Sequence, residues 1–307
     1  ANVNLKIQVY PGQSLYKPLD QYPALKSGDL DISLFPLDYA NRYHPAFTAT
    51  LMPGLVKNHD HARKLNNSSF MREIEKYLRY DDIFILSHAW LAGGIGSTKN
   101  CITSPDSIEG QVIRSAGPMY EKMLLGAGAS IASIPSSKVY SALQTGVLTG
   151  VNTSSGSFVS FKLYEQIRCI TVPGEFTPWF MYQPILMSKK TFDKLNSSQQ
   201  KILLEAGKKA EQYFYNQSIQ LDAKMEKTFR DKGVQIAKLS QSDFNLWQNI
   251  AKKTSYKLFS EKVPSGKRLI EKALNLETVI VKKQEPRIVK KQEPKYLDEN
   301  KVVPASS

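Results

Sequence analysis

Only two cysteines, Cys101 and Cys169, and four histidines occur among the 307 residues. Two thiols are too few for a disulfide scaffold, and without a CxxC spacing they do not mark a structural zinc site. One bridge in an oxidising compartment and two separate buried thiols are both open, because nothing in the sequence brings the pair together. Long apolar runs are also missing: Ile83 to Leu86 is short, and Trp179 to Met187 is broken by Gln183 and Pro184. Neither approaches the roughly 20 residues of a membrane-spanning helix. The stretch Ala1 to Tyr10 lacks the basic start and apolar run of a secretory signal, an absence that a mature exported chain would share. Acidic residues are in short supply, 28 against 41 Lys plus Arg, which leaves a formal charge of +13.

That charge is unevenly placed. Positions 278–307 hold seven bases and four acids, a net +3, so the body keeps +10. Its bases are interspersed with acids, as Lys189, Lys190 and Lys194 are around Asp193, and form no stripe with stacking aromatics. This argues against a nucleic-acid partner and for a mild attraction toward anionic ligands. Length predicts about two domains of ordinary size with a substantial core.

The pattern along the chain alternates between strand and helix. Val3, Leu5, Ile7 and Val9 have the period-2 spacing of a strand that Pro11-Gly12 stops. Leu19 to Lys26 predicts a short helix ended by Gly28, and Leu30 to Phe35 a second strand. Ser68 or Ser69 caps a helix whose buried stripe is Met71, Ile74 and Leu78. Strands are expected at Ile83 to Leu86, Gln111 to Ser115 and Ser130 to Ile134, and helices at Met119 to Leu125 and Lys138 to Thr145. Such alternation predicts parallel sheets with crossover helices. From Ser198 to Lys232 there is no breaker except Gly207, and Gly233 stands where a helix C-cap belongs. A helix of that length spans about 52 Å, enough to cross two lobes. Ser240 and Asp243 resemble a capping box for a further helix. Past Glu277, IVKKQEPR is followed almost unchanged by IVKKQEPK, an expected disordered repeat tail over 278–307.

Few motifs carry catalytic chemistry. His59-Asp60-His61 has i, i+2 spacing, which on a helix points the rings about 200° apart, so it reads as solvated histidines at a helix start rather than a metal site. Gly93-Gly94-Ile95-Gly96-Ser97-Thr98-Lys99 has its lysine after the hydroxyls, the wrong order for a phosphate loop, and is expected to be a turn of close backbone approach. The serines of Asn152 to Ser157 lack the GxSxG elbow of a hydrolase. Arg114 is different: it ends a predicted strand, and ligands of open α/β sheets bind outside strand carboxyl ends, where a guanidinium can grip a carboxylate bidentately. A structural salt bridge is the alternative.

The run Ser107-Ile108-Glu109-Gly110-Gln111-Val112-Ile113-Arg114, then Leu125-Gly126-Ala127, Ile134-Pro135 and Val139 to Gly150 (VYSALQTGVLTG), resembles the substrate-binding subunit of tripartite ATP-independent periplasmic (TRAP) transporters, the DctP-like family. Val9-Tyr10-Pro11-Gly12, Leu25 to Asp31 (LKSGDLD) and Leu51-Met52-Pro53 are similar to that family's first-domain landmarks, and Lys194-Leu195 with Gln199-Gln200 to the entry of its long helix. The match covers about residues 3 to 275. It implies an α/β, two-lobed periplasmic-binding-protein-like fold with a long helix crossing both lobes, and a ligand carboxylate held by Arg114. The family normally opens with another strand and helix ahead of the Val3 segment. Its Val-Asp-Gly is here Leu148-Thr149-Gly150, and a second basic residue that some members carry near Gly94 is absent. Both departures point away from an acyl-sugar-acid ligand, while Trp90, Trp179 and Phe180, near expected pocket positions, point to an apolar or aromatic-lined cleft.

The expected organisation is lobe I over 1–91 with about 180–219, lobe II over 92–179 with about 220–277, and the tail. The expected function is an extracytoplasmic, periplasmic solute-binding protein that captures a small organic acid by cleft closure and delivers it to membrane permease subunits, with no cofactor, no metal and no enzymatic activity. Arg114 anchors the charge, Asn152 and Thr153 offer hydrogen bonds, and Phe35, Trp90 and Trp179 supply apolar walls. A ligand sensor or adaptor using the same cleft is the alternative.

Overall fold

The computed structural model describes residues 4–134 and 136–276. The expected repeat tail lies outside them, as do Val3 and Pro135. The expected opening strand does not form: residues 4–10 carry no regular element, and Ile7 and Val9 stand 61% and 78% exposed. Alternation alone does not make a strand, because its N–H and C=O groups need a partner edge, and no described strand pairs with this segment.

Local signals hold for the elements that follow. Helix α1 (Gln21–Ser27) ends at Gly28, whose left-handed φ of 85° lets its N–H return to the carbonyls of Ala24 and Leu25. After β1 (Ile32–Leu34), α2 (His59–Leu65) opens on Asn58, whose side chain accepts from the His61 N–H. Helix α3 (Ser69–Tyr80) is capped by Ser68 and buries Met71, Ile74 and Leu78. Strand β2 (Ile83–Ser87) passes through His88 and Ala89 into β3 (Trp90–Ser97). The glycine run expected to be a turn is therefore the far half of a strand. Close backbone approach does explain the glycines, since a Cβ on Gly93 would run into the Thr153 carbonyl and one on Gly94 into that of Thr171. Gly93→Ala is accordingly expected to destabilise the fold by about 2 to 3 kcal/mol, as overpacking against backbone does. A urea midpoint equal to that of the wild type would show that β3 and its neighbours separate freely.

Next come β4 (Val112–Arg114), α4 (Pro118–Gly126), β5 (Ser130–Ala132), α5 (Val139–Gln144), β6 (Gly150–Ser154), α6 (Ser155–Ser160) and β7 (Cys169–Thr171). The chain continues through β8 (Trp179–Tyr182), β9 (Ile185–Ser188), α7 (Lys189–Asp193) and the 35-residue α8 (Ser197–Asp231). It closes with β10 (Gln235–Ala237), α9 (Gln241–Ala251), α10 (Lys257–Lys262) and α11 (Gly266–Asn275). Both capping boxes, Asn196 with Gln199 and Ser240 with Asp243, are made in full.

Two sheets define two lobes. The smaller has the order β1-β9-β2 and is antiparallel throughout. The larger has the order β10-β7-β3-β6-β4-β5, with β8 beside the first half of β3. The larger sheet is mixed rather than parallel: β4 with β5, β4 with β6 and β10 with β7 are parallel, whereas β3 runs antiparallel to β6, β7 and β8. Strand β3 arrives straight from the other sheet, without a crossover helix to reverse the chain, so it runs against its neighbours. The lobes are joined by residues 88–89 and 183–184, which are tied together where the Gln183 N–H donates to the Ala89 carbonyl at 2.9 Å. Helix α8 is the third link. Its Gly207 lies against the Leu86 carbonyl of the smaller sheet, while Met225 and Phe229 pack with Val151, Phe158 and Ile170 in the core of the other lobe.

The third segment of the chain divides differently from expectation. Helix α9 packs on α4, but α11 returns to α3, where it buries Leu269, Ile270 and Ala273 and pairs Lys272 with Glu73 at 2.8 Å. Residues 266–275 therefore stand with the first lobe, not with the second. The question left by the two cysteines is also answered. Register in the β3–β7 pair sets Ser97 opposite Cys169, and Cys101 just beyond β3 is bonded to it, the Cα atoms 5.0 Å apart.

Candidate ligand-binding site

Strand β4 delivers Arg114 to its carboxyl end, between the lobes. The side chain is 4% exposed. Its Nε donates to the Ile134 carbonyl and its Nη1 to that of Asn152, each at 3.0 Å, using two of its five N–H donors. Among the described residues no carboxylate forms an ion pair with it, so the structural salt bridge weighed as the alternative is not made there. Burial pulls the guanidinium below its ordinary value, and Tyr39 and Glu121 draw it back up; it remains a cation.

Arg114 lines a cavity of about 260 Å³ that takes walls from both lobes. Phe35 and Tyr39 come from the segment after β1, Thr153 and Ser154 from the end of β6, Ser157 from α6, and Trp179 and Met181 from β8. Asn152 does not line the cavity but backs it: wholly buried, it offers its carbonyl to Arg114 and its Oδ1 to the Ala116 N–H at 3.1 Å. Two donors next to this region, Asn152 Nδ2 and Trp179 Nε1, are buried without an acceptor among the described residues. Such donors are unusual in a finished interior.

Trp90 stands elsewhere. In the β3–β8 ribbon Trp90 pairs with Tyr182, and Gly93 with Trp179. Trp90 and Gly93 are an odd number of residues apart, so the two tryptophans occupy opposite faces of the ribbon. Trp90 instead donates from Nε1 to Asn66 Oδ1 at 2.8 Å and lines a second cavity of about 150 Å³ with His59, Arg63, His88 and Lys208. Phe180 shares that face and meets the His59 ring edge-on, centroids 5.2 Å apart. The expected apolar wall from Trp90 and Phe180 is thus supplied by Met181, two residues from Trp179 and hence on its side. Period-2 reasoning from Trp179 would have found Met181. Tyr39, Gln13 and Gln21 carried no such signal.

Nor are the paired histidines solvated. His59 Nε2 lies 2.7 Å from Asp222 of α8, and Asp222 also accepts from Ser155 Oγ at 2.5 Å. His61 is buried, its Nδ1 accepting from the Lys57 N–H, and burial lowers its pKa. Among the described residues no group of His, Cys, Asp and Glu is placed to hold a metal ion, and no helix is long and apolar enough to cross a membrane.

Behind the cavity the ionisable groups are acids. Asp38 is 3% exposed, its Oδ1 has no partner among the described residues, and its carboxyl faces Gly117 at the start of α4. Burial, and then the charge of Glu121, push its pKa up to about 7.

The family described as bacterial extracellular solute-binding protein, family 7 (DctP) matches residues 1–262. A solute-binding protein of Albidiferax ferrireducens is 33% identical over 258 residues, which are 84% of this chain and 76% of that protein. Among solved structures, a TRAP periplasmic solute-binding protein from Rhodoferax ferrireducens with bound malonate superposes with a TM-score of 0.84 at 32% identity, covering 89% of this chain and 86% of that one. At 20% identity, a TRAP periplasmic solute-binding protein of Chromohalobacter salexigens with bound D-glucuronate shares the fold, with a TM-score of 0.80 over 88% of each chain. The two-lobed α/β architecture with its long crossing helix is thus that of these receptors, and the chain belongs to bacterial extracellular solute-binding protein family 7, the DctP family of TRAP solute receptors.

Proposed function

We propose that the chain captures a small organic carboxylate in the Arg114 cavity, closes its lobes around it in the periplasm and hands it to the permease subunits of a TRAP transporter. The observation that carries this reading is a buried arginine with no carboxylate partner among the described residues, placed in a cavity that both lobes line. A buried cation without a counter-charge is costly, and a ligand carboxylate supplies what the protein withholds. Arg114 anchors the charge, Thr153 on the neighbouring strand and the Asn152 backbone shape the wall beside it, and Phe35 and Trp179 cover the uncharged part of the ligand. The bound malonate and D-glucuronate of the related structures are carboxylates, which supports the same reading here. Closure follows from differential affinity: contacts that exist only when both lobes reach the ligand favour the closed state by their own free energy. Crossings as narrow as 88–89 and 183–184, beside one long helix, suit a hinge.

The test begins with a thermal-shift screen of small carboxylates, followed by calorimetry on the best binder. Arg114→Lys keeps the charge and loses the fork, so affinity should fall about tenfold to a hundredfold, equivalent to about 1.5 to 3 kcal/mol. The melting temperature of the ligand-free variant should stay close to that of the wild type. Undiminished affinity would make Arg114 a structural residue.

A further inference from the structure

We infer that the ligand carries a single carboxylate on an uncharged, partly apolar body, and that the cleft discriminates against a second carboxylate. The inference rests on the reading of the Arg114 cavity as a carboxylate site and narrows it.

Charge is the first reason. Of the described residues lining the cavity, Arg114 is the only ionised one. The remaining polar contributors, among them Thr153, Ser154, Ser157 and Gln183, are neutral. A second carboxylate brought into this enclosure would be desolvated with no second cation among the described residues to receive it, a cost incurred before any contact is made. Neutral hydroxyl and amide groups accommodate hydroxyl, keto or amide groups far better than a second full charge.

The field behind the cavity points the same way. The groups acting on Arg114 and its neighbour Tyr39 from within the protein are acids: Glu121 acts on Arg114 and on Asp38, and Asp38 acts on Tyr39. With the Glu121 charge already acting on it, Arg114 has little positive potential left once the first carboxylate is bound. A second negative charge would meet repulsion.

Shape and wall chemistry complete the class. Phe35, Trp179 and Met181, together with Leu34 and Pro36, give the cavity a broad apolar side. A ligand that is anionic at one end and apolar over its flank satisfies both. The cavity of about 260 Å³ lies just below the ~300 Å³ at which ordinary ligand pockets begin, which suits a small aryl or branched alkyl acid.

The test is calorimetry on the full chain with matched acids that differ by one carboxylate: benzoate against phthalate, 3-phenylpropionate against phenylsuccinate, and propionate against malonate. In every pair whose monoacid binds, the monoacid is expected to bind tenfold or more tightly than its diacid partner. Met181→Lys, which adds a cation to the apolar side, is expected to shrink or reverse that preference. A diacid that binds the wild type as tightly as its monoacid, or a preference unmoved by Met181→Lys, would overturn the inference while leaving the carboxylate site intact. Failure of every acid to bind, or monoacid binding unaffected by Arg114→Met, would overturn the site itself and the inference with it.

Discussion

A Cys101→Ala, Cys169→Ala double variant is expected to melt about 8 °C below the wild type. The bond joins residues 68 positions apart, and in the chain-entropy account a loop of that length stabilises the fold by about 4 kcal/mol through the unfolded state. For a chain of this size roughly 2 °C of melting temperature is lost per kcal/mol. Dithiothreitol added to the wild type should reproduce most of the fall, since it opens the same loop without altering side-chain volume. Scanning calorimetry makes the comparison, and coincident melting curves for the oxidised and reduced protein would contradict it. The bond also fits the compartment: extracytoplasmic receptors fold where disulfides persist.

Asp38→Asn should stabilise the protein at pH 8 by as much as about 4 kcal/mol, the cost of keeping a buried carboxyl ionised there. The sign follows from linkage. The folded-state pKa of about 7 lies above the unfolded value, so between about pH 4 and 7 the folded chain holds a proton that the unfolded chain has lost. Stability from this group is therefore full below pH 4, declines as pH rises through the window, and reaches its lowest level above pH 7. His88 opposes it, because burial lowers its pKa to about 4; the unfolded chain binds that proton first, and stability falls as pH drops from about 6.5 to 4. Asp81, held down to about 2 despite its burial by hydrogen bonds from His44, Lys26 and Tyr22, loses its contribution only below about pH 4. The wild-type curve thus mixes opposing slopes, and the quantity to measure is the difference between Asp38→Asn and wild type in urea midpoints from pH 5 to 8. That difference should grow with pH. A difference constant across the range would mean that Asp38 titrates normally and is not shut away from water.

Because Asp38 faces Gly117 at the start of α4, its titration reports on the contact between the two lobes as well as on global stability. Crowding there is severe: a Cβ on Gly117 would approach Leu51 Cδ2 to 2.7 Å and Asp38 Oδ2 to 2.9 Å. Neither Asp38 nor Gly117 drew notice in the sequence. An aspartate between apolar residues reads as a surface turn until the element that covers it is known.

Much of the architecture was legible because its determinants are local. Gly28 stops α1, Ser68 caps α3, and Ser240 with Asp243 opens α9 through hydrogen bonds that span three or four residues, so the sequence window that shows the signal contains both partners. The breaker-free stretch before Gly233 likewise predicts α8 and its reach. Arg114 at the end of a short strand was identifiable as a candidate anchor from its position and from the family resemblance of the run around it.

Tertiary structure alone decided the rest. Which face of the β3–β8 ribbon Trp90 occupies depends on its register with Trp179, 89 positions on in the chain, and a displacement of one residue exchanges the faces. The closure of Cys101 on Cys169 depends on β7 lying beside β3, and the direction of β3 among its neighbours depends on its entry from the other sheet. That Arg114 is the one ionised residue among the described residues lining the cavity is equally a property of the assembled fold, since that lining comes from stretches far apart in the chain. Caps, breakers and helical periodicity fix where helices start and stop, because their energies are short-ranged. The pairing of distant strands fixes what the elements face.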